Sequence, residues 1–216
     1  MSIPFVNIHT HFKPNNTQQQ VVRNAYVQHV KQALPSVDYL ISVGLHPWHL
    51  HALTEKACND VLIEHAAHEK VWAIGEIGLD RAISTPLSIQ TKYFELQLNI
   101  ARAVKKPVII HSVRSYNDFI PYLKKVPIPF IFHGFNGNIQ QAKDLLKHGA
   151  YLSFGAAVTK EQYSQVIQSV PMQQLFLETD QSLIQIDAIY RRAAEILQVQ
   201  TDELKLQLFN NFAGLK

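Results

Sequence analysis

Short apolar runs alternate along the chain with longer segments of helical periodicity. The runs are apolar at successive positions, which is typical of parallel strands that helices cover on both faces, whereas strands of an antiparallel sandwich would alternate. The pattern therefore predicts a βα repeat with seven strands. These strands are IPFVNI (3–8), DYLISVG (38–44), VWAIG (71–75), PVIIH (107–111), PFIFH (129–133), AYLSFG (150–155) and QLFLETD (174–180).

Helices are predicted between and after these strands, and several carry their own boundary signals. Thr54 can cap a helix, Pro86 stands where a first helical turn tolerates proline, and Thr201 precedes two acidic residues. Gly149 follows a basic pair as a C-terminal stop. The predicted ranges are 17–33, 54–68, 86–104, 116–124, 138–148, 160–169, 182–198 and 201–213.

Length and composition predict a single globular domain over residues 1–216. Hydrophobic residues make up 47% of the 216 residues and charged residues 17%, and no linker or low-complexity tract divides them. Seven strands with intervening helices allow either an open doubly wound sheet or a closed barrel. A barrel gathers the ends of many strands around one point, and the polar residues described below favour it. We therefore expect an α/β fold of the TIM-like (β/α) type with seven to eight parallel strands.

Charge and cysteine content exclude several classes of function. The formal net charge is +3, and the basic pairs are scattered, so the electrostatic signature of a nucleic-acid-binding surface is weak. Cys58 is the only cysteine, which rules out an intramolecular disulfide and a thiolate-rich metal site and fits a reducing cytoplasm. The sequence starts without a signal-peptide pattern and has no apolar stretch of membrane-spanning length. A cytoplasmic protein without a membrane partner is the expectation.

Metal-ligand residue types occur at the C-terminal ends of five predicted strands. His9 and His11 are two residues apart on a strand, so both rings project from one face and can bind one cation. Glu76 ends a strand between two glycines, which allow a sharp turn or a close approach, and a carboxylate can bridge two cations through its two oxygens. The full set is His9, His11, Glu76, His111, His133 and Asp180.

The remaining ligand candidates carry structural alternatives. His111 and His133 would each be an ordinary histidine at the edge of the core if considered alone, but on adjacent strands they suit a second cation. Glu178 and Asp180 share a strand face, and like charges clustered there are costly without a cation. Asp180 lies nearer the strand end and is the predicted ligand, whereas Glu178 is expected to support a ligand by hydrogen bonding.

Other hydrolytic and nucleotide-binding chemistries lack their motifs. The chain has no GxSxG nucleophile elbow, no GxxxxGK[ST] phosphate loop and no GxGxxG after the first strand. These absences count against a serine hydrolase and a P-loop nucleotidase, and a single cysteine rules out a zinc finger. A metal-dependent hydrolase remains the reading that the residues favour.

The motifs, in their order and spacing, resemble those of the TatD family of metal-dependent deoxyribonucleases, among the amidohydrolase-like barrels. The resemblance covers nearly the whole chain. It rests on NIHTH (7–11), GLHPW (44–48), AIGEIGLD (73–80), QTKYFELQLNIARAVKKPVIIHSVRS (90–115), FHGFNGN (132–138), GAYLSFG (149–155) and LFLETD (175–180).

This resemblance implies a binuclear centre and a DNA substrate. It implies that His9, His11 and Asp180 hold one divalent cation, that His111 and His133 hold the other, and that Glu76 bridges them. A water between the cations would attack the phosphodiester, with Asp180 accepting its proton. Zn²⁺, Mn²⁺, Co²⁺, Ni²⁺ or, less readily, Mg²⁺ would suit these ligands. A monomer without an obligate protein partner is expected, and the residues implied to contact substrate are His46, Asp80, Arg81 and Arg114.

Three features depart from the family pattern. Asn7 stands where the family usually has an aspartate, which removes a carboxylate beside the histidine pair, and we expect Asn7 to be an outer partner of the ligands. Arg114 lies three residues after His111, whereas the family arginine commonly lies two residues after that histidine. The loop after Asp180 also passes quickly into a helix. These departures affect substrate recognition rather than metal binding.

Two other functions remain as alternatives to a nuclease. An amidohydrolase or phosphotriesterase-like enzyme acting on a small ester or amide would keep the metal site, although no lysine that could bridge the metals ends a predicted strand. A non-catalytic barrel that retains metal for stability or binds a partner is the third alternative.

Overall fold

The computed structural model describes residues 3–14 and 18–215, and a nearly closed ring of parallel strands organises them. Within these residues eight strands run in sequence order around the ring. Just beyond the last strand, backbone hydrogen bonds join its end to the end of the first strand, from Asp180 N to His9 O and from His11 N to Asp180 O, both 3.0 Å long. The strands are β1 Phe5–Thr10, β2 Gln19–Tyr26, β3 Leu40–Gly44, β4 Val71–Asp80, β5 Val108–Val113, β6 Phe130–Phe132, β7 Tyr151–Phe154 and β8 Leu175–Leu177.

Helices surround this barrel and mostly follow the predicted pattern. Thr54 caps its helix by accepting a hydrogen bond from Ala57 N, as its position predicts, and Pro86 directly precedes a long helix. Thr201 is the first helical residue rather than the cap, because Gln200 occupies the cap position. The helices are α1 Val30–Ala33, α2 Glu55–His65, α3 Leu87–Val104, α4 Ile120–Leu123, α5 Ile139–Leu146, α6 Ser164–Gln168, α7 Ile186–Leu197 and α8 Thr201–Gly214.

The predicted helix over 17–33 is wrong, because β2 occupies residues 19–26 of that range. Val21 and Val22 are both buried, as two faces of a barrel strand require, and β2 pairs with β1 and β3 in parallel register. Polar residues obscured this strand, since Asn24 is buried and points its amide into a hydrogen-bond network. Only the four-residue α1 and flanking 3₁₀ turns lie beyond it. Residue 17, where the predicted helix began, falls outside the described residues.

A small apolar cluster fills the barrel beneath its C-terminal mouth. Trp72 stacks on Phe212 of α8 at 4.7 Å in the same cluster. Because side chains alternate along a strand, a residue two positions beyond a buried interior residue also points inward. The cluster is formed by Val6, Ile8, Val22, Trp72, Ala73, Ile109, Ile131, Phe176, Phe212 and Leu215.

This alternation also determines the direction in which two candidate ligand side chains point. His111 lies two residues after Ile109, and His133 lies two residues after Ile131, so both rings extend the interior column toward the mouth. A larger apolar cluster packs the outer strand faces against the helices and supports the same geometry from outside. Within the described residues, no helix is long and apolar enough to cross a membrane.

Candidate metal centre

The six predicted metal ligands come together at the C-terminal end of the barrel. Their ligand atoms, together with those of His46, form three overlapping groups in which all atoms lie within 4.8 Å of one another. The groups are His9–His11–Asp180, His9–Glu76–His133 and His46–Glu76–His111. The structure thus brings residues from six separate strand ends into one site.

Glu76 occupies the centre of this site and presents each carboxylate oxygen to a different set of histidines. Its Oε2 lies 3.5 Å from His9 Nε2 and 3.9 Å from His11 Nε2. Its Oε1 lies 2.8 Å from His111 Nδ1 and 2.6 Å from His133 Nε2. The side chain is only 6% exposed, so this division is fixed by the surrounding barrel.

Asp180 completes the set on the Oε2 side. Its Oδ1 lies 3.6 Å from His9 Nε2 and 3.4 Å from His11 Nε2. The side chain is 40% exposed, far more than that of His9, which is fully buried. The backbone of Asp180 has a left-handed φ of 50°, a sparsely populated conformation that aspartate tolerates and that often marks functional sites.

The residues fit divalent cations. Both ring nitrogens of His9 are buried and have no hydrogen-bond partner among the described residues, although Nε2 lies within 3.6 Å of two carboxylates. A buried polar atom without a partner is costly, and a cation among these atoms would remove that cost. Mixed imidazole and carboxylate ligands suit Zn²⁺, Mn²⁺, Co²⁺ or Ni²⁺ and, less readily, Mg²⁺.

Two buried carboxylates stand behind the histidines on the Oε1 side. Asp80 Oδ2 lies 3.2 Å from His111 Nε2, the ring nitrogen that faces away from Glu76. Glu178 Oε1 lies 3.4 Å from His133 Nδ1, in the same relation. A carboxylate behind a metal-binding histidine selects its tautomer and makes the ring more basic. The other ring nitrogens, His111 Nδ1 and His133 Nε2, face Glu76 Oε1.

Glu178 is itself held in place by hydrogen bonds. Ser153 Oγ donates to its Oε2 at 2.6 Å, and Gly134 N donates to its Oε1 at 2.7 Å. The residue is completely buried, so it takes part in the site only through His133. Glu178 thus lies behind His133 while Asp180 faces the site, and the role of each in metal binding stays a prediction.

His46 is oriented as a hydrogen-bond donor instead of a ligand. Its Nδ1 accepts the backbone N–H of Trp48 at 3.0 Å, which leaves the proton of a neutral ring on Nε2. That Nε2 lies 3.1 Å from Glu76 Oε1 and can donate to it. His46 therefore holds the carboxylate that the other histidines share.

The charges of the site stabilise one another. Burial opposes ionisation of Glu76, but the positive charge of His133 and hydrogen bonds from His111, His133 and His46 hold its pKa well below the ordinary value. Burial would lower the pKa of His133, yet Glu76 and Glu178 raise it well above the ordinary value. Burial lowers the pKa of His11 and His46, which favours their neutral forms. Glu76 is thus a carboxylate at neutral pH.

A cavity of about 300 Å³ opens over these ligands. Of the four residues predicted to contact substrate, only His46 lines it. Asp80 is buried behind His111, and Arg81 forms a two-pronged ion pair with Asp118 at 2.8 and 2.9 Å. Arg114 is exposed on the loop after β5 and does not line the cavity. The structure therefore does not bring Asp80, Arg81 or Arg114 to the cavity wall.

Asn7 lies against β8 instead of against the histidine pair. Its amide donates to Thr179 Oγ1 at 2.9 Å, and its Oδ1 accepts from Thr179 N at 3.0 Å. These bonds help to close the barrel between β1 and β8. An aspartate at this position would lose the donor, so the amide suits the closure found in this chain.

Sequence reasoning missed two residues that shape the site. Asn24 Oδ1 accepts the backbone N–H of Glu76 at 3.1 Å, but Asn24 lies on the strand that was predicted as a helix. Trp48 lines the cavity and donates its indole N–H to Asp80 Oδ2 at 2.7 Å. Its position two residues after His46, in a motif already linked to the site, was the available signal.

Gly78 allows β4 to approach β5 directly beneath the ligands. Its φ is +152°, and a Cβ atom there would lie 2.0 Å from His111 O. The predicted close approach at the glycines around Glu76 thus occurs against a neighbouring strand, and it sets the position of His111.

Comparisons with known proteins agree with one another. The family model described as "TatD related DNase" matches residues 6–215. Deoxyribonuclease Tat-D of Schizosaccharomyces pombe is 36% identical over 121 residues, covering 53% of this chain and 39% of that protein. The 3'-5' ssDNA/RNA exonuclease TatD of Escherichia coli is 32% identical over 149 residues, covering 64% of this chain and 56% of that protein. The match thus spans less than two thirds of either relative.

A solved structure supports the fold. The crystal structure of YjjV, a TatD homologue from Escherichia coli K12, superposes with a TM-score of 0.86 at 24% identity. The superposition covers 100% of this chain and 98% of that one. This chain therefore has the same fold as that structure, a barrel of strands surrounded by helices.

Proposed function

The chain belongs to the TatD-related DNase family of metal-dependent hydrolases, and from that premise we propose that it cleaves phosphodiester bonds of DNA at a binuclear metal centre. His9, His11 and Asp180 would hold one cation, and His111 and His133 the other. Glu76 would bridge the two. His46 donates to the bridging carboxylate and is not counted among the ligands.

One observation carries the proposal: the two oxygens of Glu76 face two separate sets of ligand atoms. A site for a single cation would need only one such set around one carboxylate oxygen. Here the Oε2 side supplies two imidazoles and the carboxylate of Asp180, and the Oε1 side supplies two imidazoles with buried carboxylates behind them. This division of the donor atoms supports a site for two cations.

The protein groups have distinct tasks in the proposed reaction. Two divalent cations, when bound, would lower the pKa of an attacking water and neutralise charge on the phosphate oxygens. Asp180 is ionised, because the proximity of His9, whose Nε2 lies 3.6 Å from Oδ1, outweighs burial and lowers the pKa of the carboxyl group. It is also the most open of the carboxylates that face the ligands. Asp180 is therefore the group placed to take a proton from that water.

The experiment compares Asp180→Asn with the wild type on end-labelled single- and double-stranded DNA, both proteins loaded with Mn²⁺ or Zn²⁺. Asparagine cannot take the proton, so we expect cleavage to fall by about 10²- to 10⁴-fold. Asp187→Asn is the matched control, because Asp187 only pairs with Arg191 on the surface of α7. Its cleavage rate should equal that of the wild type.

Two results would reject the proposal. Metal-loaded wild type that leaves both DNAs intact would do so, and so would an Asp180→Asn variant as fast as the Asp187→Asn control. A parallel panel of small esters and amides covers the alternative hydrolase function, which gains support if those substrates are cleaved while DNA stays intact.

A further inference from the structure

Trp48 is the most exposed aromatic side chain on the wall of the cavity. It is 54% exposed, whereas Tyr26 and His49, which line the same cavity, are half-buried. A single exposed hydrophobic residue is common on protein surfaces and needs no explanation by itself. Its position over a charged site and its fixed orientation are what set Trp48 apart.

A buried carboxylate fixes the indole ring. Trp48 Nε1 donates to Asp80 Oδ2 at 2.7 Å, and Asp80 is only 2% exposed. Asp80 Oδ1 in turn accepts the backbone N–H of Ala82 at 2.8 Å, so the acceptor cannot swing away. The ring thus keeps its orientation while more than half of its surface stays open to solvent. The ring is therefore preorganised for contact with a bound molecule.

The ring lies within one nucleotide of the ligands. Its centroid is 5.1 Å from the His46 ring and 6.0 Å from the His111 ring, in both cases nearly perpendicular. His46 and His111 each contact Glu76 Oε1 directly. A planar group resting on Trp48 would therefore have its neighbouring phosphate over the Oε1 side of the site.

We propose that Trp48 is a stacking platform for an unpaired nucleobase next to the scissile phosphodiester. The inference rests on the proposed nuclease function and specifies how that site would position its substrate. Every nucleobase has a flat face that can stack on an aromatic ring, so the platform would tolerate any sequence. Within a duplex both faces of a base are already covered by its neighbours, and only a base released from the stack can use the ring.

The experiment compares a single-stranded oligonucleotide with otherwise identical ones that each lack one base near the scissile bond. Loss of the base that stacks should raise the KM of the wild type by about 5- to 150-fold at one position, with little change in kcat. Two variants are matched, since Trp48→Phe and Trp48→Leu both lose the hydrogen bond to Asp80, but only phenylalanine keeps an aromatic face.

The pair of variants separates stacking from a purely structural role. Stacking predicts that Trp48→Phe retains part of the preference for the intact oligonucleotide and that Trp48→Leu has none. If both variants slow cleavage of intact and abasic oligonucleotides by the same factor, Trp48 acts only through Asp80 and the proposal is wrong. The proposal would also be wrong if Trp48→Leu preferred the intact oligonucleotide over the abasic one as strongly as the wild type does.

A binding measurement keeps this test separate from that of the nuclease function. If the wild type cleaves no oligonucleotide, fluorescence anisotropy of the same labelled oligonucleotides still reports on the platform. Tighter binding of the intact oligonucleotide by the wild type, lost in Trp48→Leu, would support stacking at a site that does not cleave DNA. Equal binding of intact and abasic oligonucleotides would reject stacking.

Discussion

At the scale of single residues, two of the proposed metal ligands each have a buried carboxylate behind them. Asp80 lies behind His111, and Glu178 lies behind His133. That the six candidate ligands meet at one site could be predicted because strand ends are few and imidazole and carboxylate types recur there, whereas their binding of metal stays a prediction. Their partners could not, because a buried hydrogen bond between distant strands leaves no local pattern. Asp80 was therefore expected to contact substrate, whereas the structure buries it behind a ligand.

This arrangement predicts that Asp80→Asn weakens metal binding. A neutral amide polarises the His111 ring less than a carboxylate does, so we expect affinity for Zn²⁺ or Mn²⁺ to fall by about 10- to 100-fold. Competition with a chelating dye for the cation measures this affinity. Asp118→Asn is the control, since it breaks only the surface ion pair with Arg81 and should leave affinity unchanged. Wild-type affinity in Asp80→Asn would contradict the role given to Asp80.

At the scale of elements, strand ends position the chemistry, and one missed strand shows the limit of periodicity. Seven of the eight strands could be predicted from apolar runs. β2 could not, because its inward-facing Asn24 accepts a hydrogen bond from the Glu76 backbone and so interrupts the apolar run. Asn24 thus supports the site, and the same polar residue made β2 unrecognisable from its apolar pattern. The barrel class still followed, since ligands at five strand ends require a common mouth.

The contact between β4 and β5 is expected to tolerate no side chain at Gly78. In Gly78→Ala the new Cβ would meet His111 O, so β5 must shift, and we expect a loss of about 1–3 kcal/mol beyond backbone strain. Gly149→Ala is the matched control, because Gly149 has a φ of +81° with nothing within 4 Å of a Cβ there, and strain alone costs about 1–2 kcal/mol. The free energies of unfolding in urea of the wild type and the two variants measure both losses of stability. Equal losses would show that the close approach is unimportant.

At the scale of the whole molecule, the nearly closed barrel carries a cluster of buried ionisable groups at one end. Apolar residues fill the interior below that cluster and helices cover the outside, so stability without cations rests on the core. Cations that bind only the folded chain should increase the stability of the fold further. The chemical class of the site could be predicted from the sequence, but its cavity wall could not, because exposure and side-chain direction depend on loops from several strands.

Removal of metal should therefore lower the melting temperature. With free cation about 100-fold above its Kd, each bound cation adds about 2.7 kcal/mol, which corresponds to about 5–10 °C per cation for a chain of this size. Differential scanning calorimetry of metal-loaded and chelator-treated protein measures this shift. The same comparison on a variant lacking His9 and Asp180 should give a smaller shift. An unchanged melting temperature after chelation of the wild type would argue against bound cations.

Anomalous diffraction from crystals of the Mn²⁺-loaded protein tests the central claim most directly, since it locates each cation. We predict two peaks, one beside Glu76 Oε2 among His9, His11 and Asp180, and one beside Glu76 Oε1 between His111 and His133. A single peak, or two peaks that do not share Glu76, would contradict a binuclear centre bridged by this carboxylate.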